Sequence, residues 1–462
     1  MLFPSTIFVF VFAPITFLGY WLLRGDKIRR FWLACASYVF YGYWNWRFTA
    51  LMFVATIFSF AGSLMIQRSE SLSRKRLWLT LTLAGNLGLL CYFKYFMLLL
   101  STVNQISEMF GGGEVITVWK IILPIGISFF TFQGMSYTIE VYRGKVQATS
   151  DFIEFACYKA LFPQLIAGPI VRYQWISETL RSLPKKLSTE NLNLGLFFFS
   201  MGLIKKVLIA DRIAFFIDPM FANYRDLTPV ESWLMMIGFS LQLYFDFAGY
   251  SLMAIGLGHL LGFRFPQNFN SPYQAVSISD FWRRWHITLS TWLRDYLYIP
   301  LGGRNNRAVA LAVTMLLGGL WHGAAWTFMV WGAYHALLLE LHHHLKKFRF
   351  IPRNIVWAKI GTFLVVTIGW VFFRPPTFAS SLAILGKMFD LPAFGTKFTL
   401  QPWLIFLLII AILWAMVAPN AYELVHVRKA EPRWWWAVGL GILTAVCILL
   451  FNETGPFLYF QF

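Results

Sequence analysis

Long apolar runs separated by short polar connectors recur along this chain at residues 2–23, 31–44, 51–66, 77–100, 121–139, 192–204, 233–261, 308–339, 355–373, 403–417 and 434–451. Several reach the ~20 residues needed to cross a hydrocarbon core, and the shorter ones need help from flanking residues. The runs are continuous and do not alternate apolar with polar positions, which excludes a transmembrane barrel. The pattern predicts an all-α polytopic membrane protein with about eleven transmembrane helices, organised as a single integral-membrane domain over residues 1–462. The first run has no basic leader and no small-residue cleavage site, so it reads as a retained span.

Two segments break this rhythm. Residues 152–170, FIEFACYKALFPQLIAGPI, are apolar, yet cytoplasmic-type charge flanks them at Arg143 and Lys145 before and at Arg172, Arg181, Lys185 and Lys186 after. Pro163, Gly168 and Pro169 interrupt any helix there. A re-entrant segment fits, and irregular backbone at membrane depth requires protein around it or a wet cavity beside it. The second segment is SISDFWRRWHITLSTWLRDYLYIPLGG, residues 277–303. Ser277 and Asp280 have the spacing of a capping box, and Pro300-x-Gly-Gly is a stop signal. Between them Trp282, Trp285, Trp292, Tyr296 and Tyr298 mix with Arg283, Arg284, Arg294 and Asp295, which predicts one helix that lies at, or dips below, the membrane interface.

Composition agrees with the periodicity. Apolar residues make up 58% of the chain and charged residues only 13%, against about 25% charged in a soluble domain. The net charge of +18 invites a nucleic-acid reading until its distribution is considered. Basic residues cluster in alternate connectors, at Arg24-Lys27-Arg29-Arg30, Arg68-Arg74-Lys75-Arg76, Arg143-Lys145, Lys346-Lys347-Arg349-Arg353 and Arg428-Lys429-Arg433, while 101–117 and 375–401 carry little positive charge. This is the positive-inside pattern. It makes the anionic cytoplasmic leaflet the partner of the basic loops and excludes nucleic acid. It also puts the N-terminus and residues 455–462 on the outer face. Cys35, Cys91, Cys157 and Cys447 are scattered through apolar runs and read as small core residues without a disulfide framework.

The candidate chemistry is carried by histidine. GGLWHGAAW, residues 318–326, lies within 308–339, a run free of Asp, Glu, Lys and Arg. An ionisable residue inside a membrane is expensive, so His322 reads as functional. Gly318, Gly319 and Gly323 add a small-residue face where another backbone or a thin ligand can approach. The bland alternative is a helix-packing motif whose histidine bonds a neighbouring carbonyl. His286 follows Trp282 by one turn. His342, His343 and His344 are consecutive and point to different sides of a helix, so they read as the interfacial end of a span and not as a metal site. His259 and His335 read as packing residues, and His426 lies near a basic loop. Gln242, Asp246 and Ser251 fall on an apolar helix, where a buried carboxylate needs a partner; Lys205 and Lys206 with Asp211 and Arg212 either supply one or snorkel to the surface, and all of these read as structural.

No phosphate cradle, HExxH or GxSxG occurs, which leaves NTPase, zincin and hydrolase readings without support. A neutral imidazole in a low-dielectric site is suited to general base catalysis, taking a proton from a hydroxyl as it attacks an activated acyl group. Arg283, Arg284, Arg294 and Arg304 are candidates to hold the phosphates of a carrier such as coenzyme A. These residues by themselves leave open a membrane enzyme or a transporter with a histidine site.

Six stretches resemble the membrane-bound O-acyltransferase (MBOAT) family, and within it the bacterial alginate O-acetyltransferase group. They are LPIGISFFTFQGMSYTIEVYRG (123–144), PQLIAGPIVRY (163–173), IKKVLIADR (204–212), LYFDFAGYSLMAIGLG (243–258), ISDFWRRWHITLSTWLRDYLYIPLGG (278–303) and TMLLGGLWHGAAWTFMVWGAYH (314–335). The resemblance implies a ring of helices around a thinned centre, where cytoplasmic and outer funnels meet at His322, with His286 at the second histidine position. It implies acetyl-CoA as donor, no metal, and a bacterial inner-membrane location. It further implies transfer of acetyl across the membrane to periplasmic partner proteins that acetylate a polysaccharide. Leu252 stands where an acidic residue often follows GYS in this group, so alginate, cellulose, another exopolysaccharide and peptidoglycan all stay open as acceptors.

The final residues, PFLYFQF, look like the acyl-carrying C-terminal motif of small proteins that work with the related D-alanyl transferases. That likeness makes Tyr459 a candidate acetyl relay; the alternative is an interfacial aromatic belt. Two other readings of the whole chain remain at this point. A D-alanyl transferase of the same fold draws its acyl group from a carrier protein. A polymer or lipid transporter needs no chemistry but commonly shows repeated halves, which this sequence does not.

Overall fold

The computed structural model describes residues 1–347, 354–395, 401–429, 433–455 and 457–458. Among them the regular structure is entirely helical. The helices Trp46–Arg68, Leu72–Met109 and Thr189–Ala222 are long and apolar enough to cross a membrane; Phe8–Leu22, Arg307–His322, Ile355–Trp370, Phe378–Met388, Pro402–Met416 and Trp434–Leu449 are shorter apolar helices. Their starts are set by local chemistry. Asn45, Ser71, Asp151 and Asn354 each turn a side-chain oxygen onto orphan N–H groups of the first turn.

The described residues form two compact units. The first comprises Met1–Leu196 with Ala254–Pro266. Lipid-like surroundings offer no hydrophobic drive between helices, so close packing and buried polar bonds hold this unit together. A Cβ on Gly62 would overlap Thr82, Ser63 meets Thr138 at 3.1 Å, and Asn86 donates to Ser59. Lys159 lies fully buried in the 152–170 segment and donates to the Ala55 carbonyl and to Ser59 Oγ. That segment is helical over Phe152–Ala160 and Phe162–Leu165 and irregular beyond. Every residue from Glu154 to Tyr173 is buried, so the irregular backbone is sheathed in protein.

Two readings made from composition change here. Arg29 and Arg30 are not merely connector charges. Arg29 is buried, donating to the carbonyls of Tyr20 and Pro184, and Arg30 pairs with Asp151 and Glu154. Cys35 and Cys91 are exposed, and only Cys157 and Cys447 are core residues; apolar character alone does not tell a core face from an outward one in a chain whose surroundings are also apolar.

The second unit comprises the described residues of Phe197–Met253 and Gln267–Phe462. Two glycine pairs fix its helix crossings. A Cβ on Gly202 would lie 2.5 Å from the Gly249 carbonyl, and one on Gly249 2.7 Å from the Gly202 carbonyl. A Cβ on Gly319 would overlap the Phe328 carbonyl, and one on Gly332 the Met315 carbonyl. The helices Arg307–His322 and Trp326–Lys347 therefore touch backbone to backbone. The small-residue face of GGLWHG serves packing at Gly319, while Gly318 faces the Leu293 side chain.

The 277–303 segment is not the single helix its pattern predicts. Ser277 Oγ accepts from the Asp280 N–H as an N-cap, and Gly302 and Gly303 take positive φ at the far end, so both ends are as expected. Between them the chain breaks into Ile278–Arg284 and Ile287–Leu293, followed by a wide turn over Arg294–Tyr298. The break falls at Trp285 and His286, and His286 has φ +41°. Neither residue is a helix breaker, so no local signal announces the break.

Candidate active site

The left-handed backbone of His286 is uncommon outside glycine and costs about 1–3 kcal/mol. What holds it is the segment 268–270. Ile287 N–H donates to the Asn268 carbonyl at 2.9 Å, and Asn270 N–H donates to the Arg284 carbonyl at 2.9 Å. The Asn268 side chain completes the arrangement. Its Oδ1 accepts from the Thr288 hydroxyl at 2.9 Å and from the Thr288 N–H at 3.3 Å. The same oxygen lies 3.0 Å from His286 Nδ1. A backbone N–H can only donate, so the atom facing Thr288 is the amide oxygen, and His286 Nδ1 must then carry the proton. That tautomer leaves Nε2 with the lone pair.

His322 arrives from another element, as the last residue of the Arg307–His322 helix before extended Gly323. Its ring centroid lies 6.5 Å from that of His286. Both imidazoles are buried, His286 completely and His322 to 5% exposure. They sit in an aromatic cage. Phe247 meets His286 edge-on at 4.7 Å, Trp331 and Phe373 meet His322 at 5.2 and 5.3 Å, and Trp321 touches both rings. Trp285, adjacent to His286, packs on Trp370, which stacks on Trp331. The break at Trp285 and His286 sends both side chains into the core, where Phe281, Leu289 and Trp292 of the same segment are buried too.

The remaining candidates divide. Arg284 is engaged by Asp280 at 3.0 Å and by the Asn270 carbonyl, and Arg294 by Asp295 at 2.7 Å; Arg283 and Arg304 are exposed. Tyr459 lies outside the described residues. His335 is buried among Phe281, Trp282 and Trp331, and His344 pairs with Glu340 at 3.2 Å. His259 lies 3.3 Å from Asn191 in the first unit. Among the described residues no three His, Cys, Asp or Glu side chains form a metal cluster. Asp246 does find the partner its burial demands, in Lys206 at 2.7 Å. Sequence reasoning missed Asn268; its only trace is the polar interruption QNFNS, residues 267–271, between apolar runs.

Two buried imidazoles from different elements, one held in a fixed tautomer, thus meet in an apolar chain whose described regular structure is helical. The family model for membrane-bound O-acyltransferases matches residues 44–373. The chain belongs to that family, and it is an O-acyltransferase. It is 44% identical over 398 residues to the probable alginate O-acetylase AlgI of Azotobacter vinelandii, covering 84% of this chain and 77% of that protein. Identity to the probable alginate O-acetylase AlgI of Pseudomonas aeruginosa is 43% over 403 residues, with 86% and 76% covered. The peptidoglycan O-acetyltransferase of Helicobacter pylori is 38% identical over 429 residues, with 85% and 80% covered.

Proposed function

We propose that this protein takes acetyl from acetyl-CoA on the cytoplasmic side of a bacterial inner membrane and passes it across for O-acetylation of a polysaccharide, alginate or a similar exopolymer, through periplasmic partner proteins. The observation that carries the reading is the meeting of His286 and His322 in one buried aromatic cage. His322 acts as general base. An acceptor hydroxyl oxygen attacks the thioester carbonyl carbon while the imidazole takes its proton; the carbon–sulfur bond then breaks, and the leaving thiolate recovers the proton as coenzyme A thiol. The C-terminal end of a helix carries partial negative charge, which favours positive charge forming on His322 during transfer. His286, presenting Nε2, orients the hydroxyl or the carbonyl.

Depth supports a handover across the membrane. Arg307 pairs with Glu340 at 3.0 Å at one end of the helix that ends in His322. At 1.5 Å per residue the two ends are about 22 Å apart along the axis, against a hydrocarbon core of about 30 Å. With Arg307 at the cytoplasmic face, His322 lies well past the midplane, within reach of an outer acceptor. The N-terminus and residues 455–462 belong on that outer face. Arg283 and Arg304, exposed at the cytoplasmic end, are the better placed of the four arginines to meet CoA phosphates; Arg284 and Arg294 must first leave Asp280 and Asp295. Tyr459 is the proposed acetyl relay, supported by Phe457, whose ring packs 5.8 Å from Phe247 beside His286. The family match runs through both compact units, which supports a single integral-membrane domain over residues 1–462.

Peptidoglycan is the second acceptor to consider, favoured by the Helicobacter pylori relative. The reading is tested by supplying acetyl-CoA to the purified protein and its His322→Ala variant in lipid nanodiscs. Coenzyme A release must depend on His322, and hydrolysis at the same rate by both proteins excludes it as base.

A further inference from the structure

Lys206, Asp211 and Asp246 are buried together. The Lys206 ammonium reaches Asp211 Oδ1 at 2.8 Å and Asp246 Oδ1 at 2.7 Å. Its third acceptor comes from far along the chain, the Gly455 carbonyl at 3.2 Å. Asp246 turns its other oxygen to the same segment, Oδ2 accepting from the Leu458 N–H at 2.9 Å. The ammonium donates to Asp211 Oδ1 and to the backbone carbonyl of residue 455, with Asp246 as its second ion-pair partner. A Cβ on Gly455 would lie 3.3 Å from Asp211 Oδ1, so the approach is close. Outside the cluster, Arg212 pairs with Glu453 at 2.6 Å and marks where the segment comes in.

The bonds lead to the histidine site. Between the two anchored backbone groups, Phe457 is buried against Tyr250 at 4.7 Å and Phe247 at 5.8 Å. Phe247 in turn meets the His286 ring at 4.7 Å. Asp246, Phe247 and Tyr250 are neighbours on one helix, with Asp246 and Tyr250 sharing a face at i and i+4. A single helical turn therefore holds the segment's backbone through Asp246 and its aromatic side chain through Tyr250. If the segment left, Lys206 would lose an acceptor and Asp246 a donor, a cost that falls on buried charged groups.

We propose that the Lys206–Asp211–Asp246 cluster is an anchor that docks Gly455, Phe457 and Leu458 beside His286, making Lys206 and Asp246 positioning residues for acyl transfer. The positioning role rests on the reading of the His286–His322 pair as the transfer site; the docking does not. The test uses the full chain in nanodiscs. One variant combines Lys206→Met, Asp211→Asn and Asp246→Leu, removing all three charges together so that none is left buried alone. A second, Leu458→Pro, deletes one N–H donor of the segment and leaves the cluster intact.

Amide hydrogen exchange is followed over residues 453–458, with kcat and KM for acetyl-CoA measured on the same proteins. Docking predicts exchange at least about tenfold faster in that segment, with the Arg307–His322 helix unchanged. Positioning predicts kcat lowered at least about tenfold at unchanged KM. Exchange as slow as wild type in the Leu458→Pro protein overturns the anchor. Fast exchange with an unchanged kcat overturns the positioning role. A wild-type protein that does not turn over acetyl-CoA tells against the transfer-site reading alone, since the exchange comparison still decides whether the cluster docks the segment.

Discussion

His286 Nδ1 lies 3.0 Å from Asn268 Oδ1, and that bond decides which nitrogen of the imidazole carries the proton. Asn268 is buried, and its oxygen is already fixed in direction by the N–H and hydroxyl of Thr288. The ring is thus set by a residue whose own orientation is set by the backbone. Substituting Asn268 by Leu frees the ring to take the other tautomer and to shift. We expect kcat for acyl transfer to fall roughly 10²-fold, the scale on which small misplacements act, with little change in KM for the donor. Steady-state turnover of acetyl-CoA measures both; an unchanged kcat removes Asn268 from the account.

The two histidines meet in one cage and are expected to act in one step. His322→Ala is predicted to cost roughly 10²–10⁴ in kcat, the range of general base catalysis. Residues acting as a unit are strongly non-additive, so the His286→Ala, His322→Ala double variant is expected to be about as slow as the poorer single variant. Multiplying losses would show that the imidazoles serve separate steps.

His286 has a second duty, in the backbone. Asparagine tolerates the left-handed region and a β-branched residue does not. His286→Asn is therefore predicted to unfold close to the wild-type temperature while losing activity. His286→Val should be less stable by about 1–3 kcal/mol. Thermal unfolding in detergent compares them directly, and equal stability of the two variants would mean that the break does not depend on this φ.

Gly318 and Gly319 are neighbours with different surroundings. Gly319 lies against the Phe328 carbonyl, whereas a Cβ on Gly318 would meet only the end of the Leu293 side chain, at 3.1 Å. Gly319→Val must push two helix backbones apart and is expected to cost about 1–3 kcal/mol or more, as overpacking does. Gly318→Ala asks only a small movement of Leu293. Yield and thermal stability of the two proteins rank the effects; a Gly319→Val protein as stable as wild type contradicts the backbone contact.

Much of this was legible from apolar periodicity, because a chain in lipid must satisfy its own backbone and so declares its helices openly. His322 stood out for the same reason, as an ionisable group in a run without other charge. The need of Asp246 for a partner followed from the cost of a buried carboxylate, and Lys206 was among the charged residues of the apolar runs that could supply it. Other features left no local trace. The break at Trp285 and His286 is imposed by pairing with residues 268–270, and neither residue type breaks helices. Asn268 meets His286 across 18 positions, too far for any spacing rule. The bonds from Gly455 and Leu458 to Lys206 and Asp246 span more than 200 positions. Arg29 and Arg30 read as topology signals because positive charge near a membrane has that meaning on average; the burial of Arg29 and the ion pairs of Arg30 depend on tertiary partners.

The central claim is that an acetyl group leaves coenzyme A at His322, and labelled acetyl-CoA tests it most directly. Wild-type and His322→Ala proteins in nanodiscs are given donor labelled in the acetyl group, and coenzyme A release and protein-bound label are followed together. The account predicts release by the wild type, with label transiently on the chain at Tyr459, and loss of both in the variant. Equal release by the two proteins, or none from the wild type with a periplasmic partner supplied, contradicts it.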